Sequence, residues 1–364
     1  MRKNLTILLS KAFPPAKGGI STYIYNLFNT AAKEMDILVV TNTPSSSEEY
    51  LGNFKGIIRS FVPIGKSGIF RIDFYAKAMF SLFVNKDRLK NVVCDNIFPA
   101  GMIGYIFKKI FKDIDLYVVT YGSEVIRNDK KWYTLFRKKL FDASKEIITI
   151  SRYTSNEVKL LTSRPVTIVP PGYCGGFSSV EGISKPIRIL TVAALTPRKG
   201  HLLVLDALNK SKEKINFKYT IVGNGFYKTE ILKRIDELNF TSSVEILSNV
   251  DNNSLDRIYR NSDIFIMPTY KNDFDIEGFG IVYLEAGAHS LPVIATPIGG
   301  VTDVVEDGEN GVFVEEKNIE QIADAIVKLA SNKALREKMG VAGQKIAKNF
   351  SYSKSAQILL KILR

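Results

Sequence analysis

The chain alternates short apolar runs with longer stretches in which apolar residues recur at helical spacing. Such alternation is typical of βαβ units, which build parallel sheets. The first half contains seven apolar runs, at residues 5–9, 37–41, 57–62, 92–97, 116–120, 147–150 and 167–169. The second half contains six, at residues 187–193, 219–222, 244–247, 264–267, 293–295 and 312–314. The pattern therefore predicts two doubly wound α/β domains.

A stretch rich in glycine and serine, from residue 172 to residue 182, separates the two sets of strands. Glycine and serine clusters are typical of turns and loops rather than of helices or strands. We therefore place a first Rossmann-like domain at residues 1–177 and a second at residues 183–350. Open α/β sheets bind ligands at the carboxyl ends of their strands, so two facing domains would form a binding cleft.

Composition excludes several classes of protein. Of the 364 residues, 45% are hydrophobic and 24% charged, and no apolar run approaches the ~20 residues of a membrane span. The cysteines Cys94 and Cys174 are too few for a disulfide framework, which favours a reducing, cytosolic compartment. The opening residues lack a small-residue cleavage pattern and are interpreted as a buried strand rather than a signal peptide.

The positive charge is concentrated in the first half of the chain. Residues 1–180 hold 26 lysines and arginines against 14 aspartates and glutamates, a net charge of +12, whereas residues 181–364 carry 24 against 23, or +1. A basic surface of this kind suits a polyanion. The sequence contains no nucleic-acid-binding motif. We therefore favour the anionic face of a membrane as the partner and do not expect the protein to bind nucleic acid.

The stretch from Glu277 to Glu285 follows a predicted strand and has the order strand, glycine-rich loop, helix. Gly278 and Gly280 allow close backbone approach, and the amides that open the helix could bind a phosphate. Taken alone, Glu277 could equally be a partner of the helix dipole and Glu285 a solvated helix residue.

The surrounding residues decide between these interpretations, because together they resemble the second domain of retaining glycosyltransferase family 4 enzymes. The matching segments there are Glu277-Gly278-Phe279-Gly280 with Glu285, Pro197-Arg198-Lys199-Gly200, Val222-Gly223-Asn224-Gly225, Ser248-Asn249-Val250, Pro292-Val293-Ile294-Ala295 and Gly299-Gly300. In the first domain the resemblance rests on Lys17-Gly18-Gly19-Ile20 and on Thr120-Tyr121-Gly122-Ser123-Glu124. It covers essentially the whole chain.

The resemblance implies a GT-B fold, in which two Rossmann-like domains face each other across a cleft, and a C-terminal helix at 351–364 that packs back on the first domain. It implies a nucleotide-diphosphate sugar as donor, with a UDP-sugar favoured over a GDP-sugar. It also implies that neither a metal ion nor a cofactor is needed. The acceptor would be a glycan or a lipid-linked glycan bound by the first domain.

Cleavage of the bond between sugar and diphosphate leaves negative charge on the phosphates, so a metal-free enzyme must supply fixed cations and dipoles. Lys199 and Arg198 are the candidates, with Lys199 expected at the start of a helix over 201–208. By resemblance, Glu277 would hold the sugar hydroxyls and Glu285 the ribose hydroxyls. The same resemblance assigns the Phe279 and Gly280 amides to the sugar, the Ile281 and Val282 amides to the phosphate, and the Val250 backbone to the base. Gly18 and Gly19 follow the first strand and allow the backbone to approach a phosphate or the acceptor. We place Gly19 with the donor, and Gly18 with Tyr121 on the sugar or acceptor side.

Two positions depart from the family pattern. Ala194 stands where many members have an arginine, so one phosphate cation is missing and Arg198 is a candidate substitute. Tyr121 stands where many have a histidine that contacts the donor sugar. Tyrosine titrates near 10 and cannot be a cation at neutral pH, which leaves the identity of the donor sugar open.

Two basic, aromatic stretches, at residues 101–112 and 130–141, have helical spacing and are candidates for contact with an anionic membrane. Each could equally be a helix that covers the sheet with a solvated basic face. If they bind a membrane, Lys131, Arg137, Lys138 and Lys139 would supply the attraction, and Phe107, Phe111, Trp132 and Phe136 would insert.

The sequence thus predicts a retaining hexosyltransferase of bacterial surface polysaccharide biosynthesis, located in the cytoplasm and peripherally associated with the inner face of the membrane. Two alternatives remain open. A non-catalytic partner subunit would keep the fold and could show departures such as Ala194 and Tyr121. A nicotinamide dehydrogenase is suggested only by the lone pair Gly223 and Gly225, because the next glycine of that fingerprint is replaced by Lys228.

Overall fold

A computed structural model describes residues 4–14, 16, 18–41, 54, 56–60, 72–127, 130–178, 186–272 and 275–364. The chain divides into two units, Met1–Gly172 together with Ser351–Arg364, and Tyr173–Phe350. Residues 173–177 lie in the second unit, although the sequence interpretation assigned them to the first domain. The reason is local packing, since the Tyr173 ring lies edge-on against Phe177 and His289, with ring centroids 5.6 and 6.1 Å apart.

The first unit is built on a seven-stranded sheet in the order β3-β2-β1-β4-β5-β6-β7, in which every pair of neighbours is parallel. This is the Rossmann strand order extended by one strand. The strands are β1 (Leu5–Ser10), β2 (Ile37–Thr41), β3 (Ile57–Ser60), β4 (Leu89–Cys94), β5 (Asp115–Thr120), β6 (Glu146–Thr149) and β7 (Val166–Ile168). Residues 61 and 62, included in the predicted third strand, lie outside the described residues.

The fourth strand begins and ends three residues earlier than the apolar pattern predicts. The earlier start includes a buried polar residue, which the apolar pattern does not detect. Asn91 is fully buried, and its side-chain amide donates to Thr6 Oγ1 at 3.0 Å and to the Leu363 carbonyl at 2.8 Å. Satisfied in this way, a polar side chain can occupy a strand interior.

The helices of the first unit are α1 (Gly19–Ala31), α2 (Ile72–Val84), α3 (Ala100–Ile110), α4 (Ser123–Ile126), α5 (Lys131–Ala143) and α6 (Arg152–Lys159). All of them except α1 bury apolar side chains in the same core cluster as the strands, and the phenylalanines of that cluster, Phe74, Phe107 and Phe141, lie on α2, α3 and α5. Phe107 is fully buried, so its expected insertion into a membrane is wrong.

The second unit is built on a six-stranded sheet in the order β10-β9-β8-β11-β12-β13, again with parallel neighbours throughout. Its strands are β8 (Ile187–Val192), β9 (Phe217–Val222), β10 (Val244–Leu247), β11 (Ile264–Met267), β12 (Val293–Ala295) and β13 (Gly311–Phe313). Its helices are α7 (His201–Ser211), α8 (Lys228–Glu237), α9 (Asn252–Arg260), α10 (Ile281–Ala288), α11 (Ile319–Ser331) and α12 (Lys333–Asn349). The predicted pair of Rossmann-like sheets is confirmed.

The last helix, α13 (Tyr352–Leu363), belongs to the first unit and packs against α1. Other first-unit contacts hold it besides the bond from Asn91, among them the following. Tyr117 Oη donates to the Ile362 carbonyl at 3.1 Å, Ser355 Oγ to the Pro170 carbonyl at 2.7 Å, and the Arg364 guanidinium lies 2.9 Å from a Glu34 carboxylate oxygen.

Arg137 on α5 is a structural residue rather than part of a basic surface. It is 1% exposed, and its guanidinium donates to the carbonyls of Glu124 at 3.2 Å, of Arg127 at 2.9 Å and of Val125. These carbonyls lie in and just after the short helix α4, where helix geometry leaves them without backbone partners. The expectation that Arg137 attracts a membrane is therefore wrong.

We predict that Arg137→Met lowers the free energy of unfolding by about 2–3 kcal/mol, because it leaves buried carbonyls without donors. The matched control is Lys138→Met, which removes the same charge from the exposed neighbouring position and should change stability by less than about 0.5 kcal/mol. Urea unfolding of both variants, followed by circular dichroism, measures the difference. Equal stabilities would contradict the structural role of Arg137.

Candidate functional site

The strand order of the second sheet reverses between β8 and β11, which are neighbours. In open α/β sheets such a switch point opens a crevice at the carboxyl ends of the strands, where ligands bind. The chain that follows β8 carries Arg198 and Lys199, and the chain that follows β11 carries Glu277. Three candidate residues from distant parts of the sequence therefore converge at the switch point.

These three side chains form one ion cluster. Glu277 Oε2 lies 3.2 Å from Arg198 Nη1 and 2.5 Å from Lys199 Nζ. Their side chains are only 10–14% exposed. Arg198 Nε also donates to Asp275 at 2.9 Å, and Nη1 to Thr269 Oγ1 at 2.9 Å. These hydrogen bonds involve Nε and Nη1 of the guanidinium and do not involve Nη2.

The cluster keeps Glu277 ionised. Burial alone would raise the pKa of this carboxyl, but the charges of Lys199 and Arg198 and their hydrogen bonds outweigh burial and lower it. A carboxylate is an acceptor only. Glu277 is therefore suited to accept hydrogen bonds from hydroxyl groups while it holds two cations in place beside it.

Glycines position the loop that carries Glu277. Gly300 donates its backbone N–H to the Glu277 carbonyl at 2.8 Å. A Cβ on Gly299 would lie 2.0 Å from that carbonyl oxygen, and one on Gly300 would lie 2.1 Å from the carbonyl of Gly278. The Glu277 loop therefore packs directly against the backbone of Gly299 and Gly300. A side chain at either glycine would displace the loop.

Helix α10 begins directly after this loop. Gly280 precedes it with φ of 84°, a left-handed conformation that favours glycine. Ile281 and Val282 are the first two residues of α10, so their amides have no carbonyl partner within the helix and point out of its positive end. Phe279 is buried, its ring packed against Phe350 at 5.6 Å.

Lys199 does not begin a helix as the sequence predicts. It ends a 3₁₀ turn, Pro197–Lys199, and Gly200, with φ of 77°, separates that turn from α7. A Cβ on Gly200 would lie 2.4 Å from the Pro268 carbonyl. This close approach brings the end of the turn against the chain that leaves β11, and so brings Lys199 to Glu277.

Glu285 lies in the second turn of α10 and is held by a tyrosine from α9. Tyr259 Oη donates to Glu285 Oε2 at 2.8 Å, and the fully buried Tyr259 ring stacks on His289 with centroids 4.9 Å apart. His289 in turn bonds the Glu285 carbonyl at 2.8 Å and Asp256 at 2.9 Å. Burial raises the pKa of Glu285 to about 7, against the lowering effect of the bond from Tyr259.

The loops after β9 and β10 are joined to each other. Ser248 Oγ donates to the Gly223 carbonyl at 3.1 Å, and Asn224 lies 3.3 Å from Asn249, next to the half-buried Val250. A Cβ on Gly223 would lie 1.9 Å from the Ala193 carbonyl, and one on Gly225 would lie 2.2 Å from the Leu195 carbonyl. Packing against the chain after β8 therefore accounts for the two glycines that had suggested a dehydrogenase.

The first sheet has its own switch point, between β1 and β4. Gly18, with φ of 128°, precedes α1, and Gly19 is its first residue; both are exposed. Asp95, directly after β4, is 1% exposed and accepts from Ser10 Oγ at 2.6 Å and from the Lys11 amide at 3.1 Å. Burial raises the pKa of Asp95 to about 6, although these hydrogen bonds oppose the rise.

Tyr121 follows β5 in the first unit and is buried. Its ring lies edge-on to Tyr23 at 6.2 Å, and its amide donates to Glu124 Oε1 at 2.5 Å. Within the described part of the chain its hydroxyl has no hydrogen-bond partner. Burial raises its pKa well above 10, so Tyr121 supplies a neutral hydroxyl at physiological pH.

Sequence reasoning missed three residues of these sites: Thr269, Tyr259 and Asp95. It noted Asp275, together with Asp273, only as the nearest approach to the Asp-x-Asp spacing of a metal-diphosphate site and interpreted it as a solvated loop residue, whereas Asp275 accepts a hydrogen bond from Arg198. Its neighbour Asp273 lies outside the described residues. No cluster of three or more metal-ligating side chains occurs among the residues that the structure describes.

Comparison with known proteins finds a family match and full-length relatives. Residues 177–346 match the model of the family described as glycosyl transferases group 1. An uncharacterised glycosyltransferase of Methanocaldococcus jannaschii is 26% identical over 98% of this chain and 97% of its own. A GDP-mannose-dependent alpha-(1-6)-phosphatidylinositol monomannoside mannosyltransferase of Mycolicibacterium smegmatis is 22% identical over 93% of this chain and 92% of its own.

Among solved structures, Anabaena HepE in complex with UDP-glucose superposes with a TM-score of 0.81 over 99% of both chains, at 16% identity. This likeness agrees with the two Rossmann strand orders described above. Residues 177–346 thus match the glycosyl transferases group 1 family, and the chain is a glycosyltransferase of the GT-B type.

Proposed function

We propose that the protein is a retaining hexosyltransferase that moves a sugar from a nucleotide-diphosphate sugar, a UDP-sugar rather than a GDP-sugar, to a glycan or lipid-linked acceptor in bacterial surface polysaccharide biosynthesis. The convergence of two cations and one carboxylate, Arg198, Lys199 and Glu277, beside the N-terminus of α10 carries this proposal. The UDP-glucose complex of HepE and the mannosyltransferase relative support a donor of this class.

The chemistry follows from where charge develops. As the bond between the sugar and the diphosphate breaks, negative charge accumulates on the phosphate oxygens of the leaving group. Lys199 and Arg198 are fixed cations, and the Ile281 and Val282 amides are fixed dipoles that need no reorganisation to stabilise that charge. Glu277, ionised by the same two cations, accepts hydrogen bonds from the sugar hydroxyls and orients the ring.

The remaining roles complete the donor site. Glu285 accepts hydrogen bonds from the ribose hydroxyls, the backbone of Val250 contacts the base, and the amides of Phe279 and Gly280 approach the sugar. For the first unit, we propose that Gly19 takes part in donor binding and that Gly18 and Tyr121 serve the sugar or acceptor side. We propose no metal and no cofactor.

We further propose that the enzyme works in the cytoplasm at the inner face of the membrane. The net charge of +12 on residues 1–180 supports attraction to anionic lipid. The M. smegmatis relative is named for a phosphatidylinositol-based acceptor, and an acceptor of that kind is presented at a membrane surface.

We predict that Lys199→Ala lowers kcat/KM for the donor by about 100-fold, or about 3 kcal/mol, the scale of losing one preorganised electrostatic partner. Glu277→Gln should reduce turnover comparably while it preserves the shape of the cluster. The control Lys210→Ala removes a lysine from an exposed ion pair of the same unit and should leave kcat/KM unchanged. A Lys199→Ala enzyme with full activity would remove Lys199 from the site, and a wild type without turnover would favour the non-catalytic subunit.

Metal independence and donor choice can be tested together. UDP-, GDP- and ADP-sugars are compared by thermal shift, and turnover of the best donor is then measured in the presence of a chelator. We expect a UDP-sugar to stabilise the protein most and turnover to be unaffected by the chelator. Loss of activity that manganese or magnesium restores would overturn the metal-free proposal, and a larger shift with a GDP-sugar would overturn the donor assignment.

We predict that donor affinity rises with pH through about 7 and levels off above about 8, because only the ionised Glu285 accepts two ribose hydrogen bonds. Tyr173 and Cys174 face this carboxyl, but their own pKa values are raised, so both stay neutral over this range. Tyr259→Phe removes a bond that lowers the Glu285 pKa and should move the midpoint to higher pH.

The control for this measurement is Tyr219→Phe, which removes a buried hydroxyl bonded to Thr191 at 2.8 Å in the same unit. Calorimetric titration of UDP between about pH 6 and pH 9 gives the profile for each variant. An unchanged midpoint in Tyr259→Phe, with weaker binding at every pH, would mean that Tyr259 acts on the fold alone.

A further inference from the structure

Three neighbouring helices of the first unit carry large apolar side chains on their outer surface. Helix α2 packs against α3, and α3 packs against α5, while all three bury their inner sides in one core cluster. The exposed apolar side chains are Phe80, Phe83 and Val84 on α2, Ile106 and Ile110 on α3, and Trp132 and Leu135 on α5. We call these seven residues the apolar face.

The spacing shows that each helix contributes an outward stripe. Its members recur at three or four residues on every helix, which places them on one side. They are 44–64% exposed. Phe83 contacts Phe111 across α2 and α3 at 6.2 Å, and Tyr105 contacts Phe136 across α3 and α5 at 5.9 Å, so aromatic rings connect the three stripes.

The helices that carry the apolar face are predominantly basic. Helices α2, α3 and α5 contain seven lysines and arginines against two aspartates, Asp73 and Asp142. Lys86 lies over the Phe83 ring at 4.8 Å and Lys109 over the Tyr105 ring at 5.4 Å. Lys131, Lys138 and Lys139 are exposed on α5. Lysines that cover apolar surface with their stems and reach outward with their charge match the interface of an anionic bilayer.

We infer that the apolar face inserts into the interfacial layer of an anionic membrane, so that apolar burial and not charge alone holds the enzyme there. This deepens the proposed membrane association and rests on it. No described helix is long and apolar enough to span a bilayer, so contact through this face would be peripheral. Helix α2, which the sequence interpretation did not consider, supplies three of the seven side chains.

The chain carries its own reporter, because Trp132 is its only tryptophan and belongs to the apolar face. Vesicles of equal parts phosphatidylcholine and phosphatidylglycerol should shift its emission to shorter wavelength. Lipids brominated on the acyl chain should quench it. Unchanged emission from protein that co-sediments with these vesicles would place the contact elsewhere and overturn the inference.

Salt separates insertion from attraction, because exposed charges are screened over about 3 Å at about 1 M salt and apolar burial is not. Wild type should retain part of its vesicle binding at that salt. The triple variant Phe80→Ser, Ile110→Ser and Leu135→Ser, with one change per helix, should lose this fraction and weaken overall partitioning by about tenfold or more. All three positions are at least 60% exposed, so the fold should tolerate the changes.

The matched control is Leu160→Ser, Leu232→Ser and Val341→Ser, which removes three apolar side chains, 45–81% exposed, that do not belong to the face. It should bind vesicles as wild type does. Equal binding by the two triple variants would overturn the inference. A second outcome would also overturn it: the wild type is a dimer that does not bind vesicles, and the triple variant of the apolar face is a monomer. In that case the apolar face would join two copies of the chain.

Donor binding distinguishes this inference from the proposed function. Thermal stabilisation by UDP should be the same in wild type and in both triple variants, because none of the substituted residues belongs to the ion cluster. If the protein binds vesicles but no nucleotide sugar stabilises it, the donor proposal is refuted and the membrane inference is supported. If UDP stabilises the protein but it does not bind vesicles, the membrane inference is refuted and the donor proposal is supported.

Discussion

The carboxylate of Glu277 organises the second unit, because a charge that is almost entirely withdrawn from water must be paired. Arg198 and Lys199 meet that requirement from the far side of the switch point. The same requirement makes Thr269 and Asp275 necessary, since a buried guanidinium needs several acceptors. It also explains the left-handed glycines, which let three backbone segments approach one another closely enough for the charges to meet.

The two units use the same topology with different chemistry. Each places a buried carboxylate after the strand just across the switch point, Glu277 after β11 and Asp95 after β4. Glu277 is surrounded by cations, so its pKa is low. Burial raises the pKa of Asp95 to about 6, and the hydroxyl and backbone amides that donate to this carboxyl only partly oppose the rise. The same place in the two sheets therefore holds an ionised carboxylate in the second unit and a carboxyl whose pKa is shifted towards neutral pH in the first.

The helices of the first unit show why charge and apolar content in a sequence do not identify a surface. Arg137 and Lys138 are adjacent on α5, yet the guanidinium is buried against carbonyls while the lysine is exposed. Phe107 is fully buried, whereas Ile106 beside it faces outward. A helix turns each side chain by about 100° from the previous one, so only packing against the sheet decides which neighbour faces inward.

The sequence by itself determined the two parallel sheets, the family and the segments that carry Arg198, Lys199, Glu277 and Glu285. These follow from local periodicity and from residues close together in the chain. Only the tertiary structure decided the partners, because Tyr259 reaches Glu285 and Arg198 reaches Thr269 across separations of 26 and 71 residues. It also decided the strand at Leu89–Cys94, where Asn91 interrupts the apolar run. The reason in each case is that a buried polar group is satisfied by whatever the fold brings beside it.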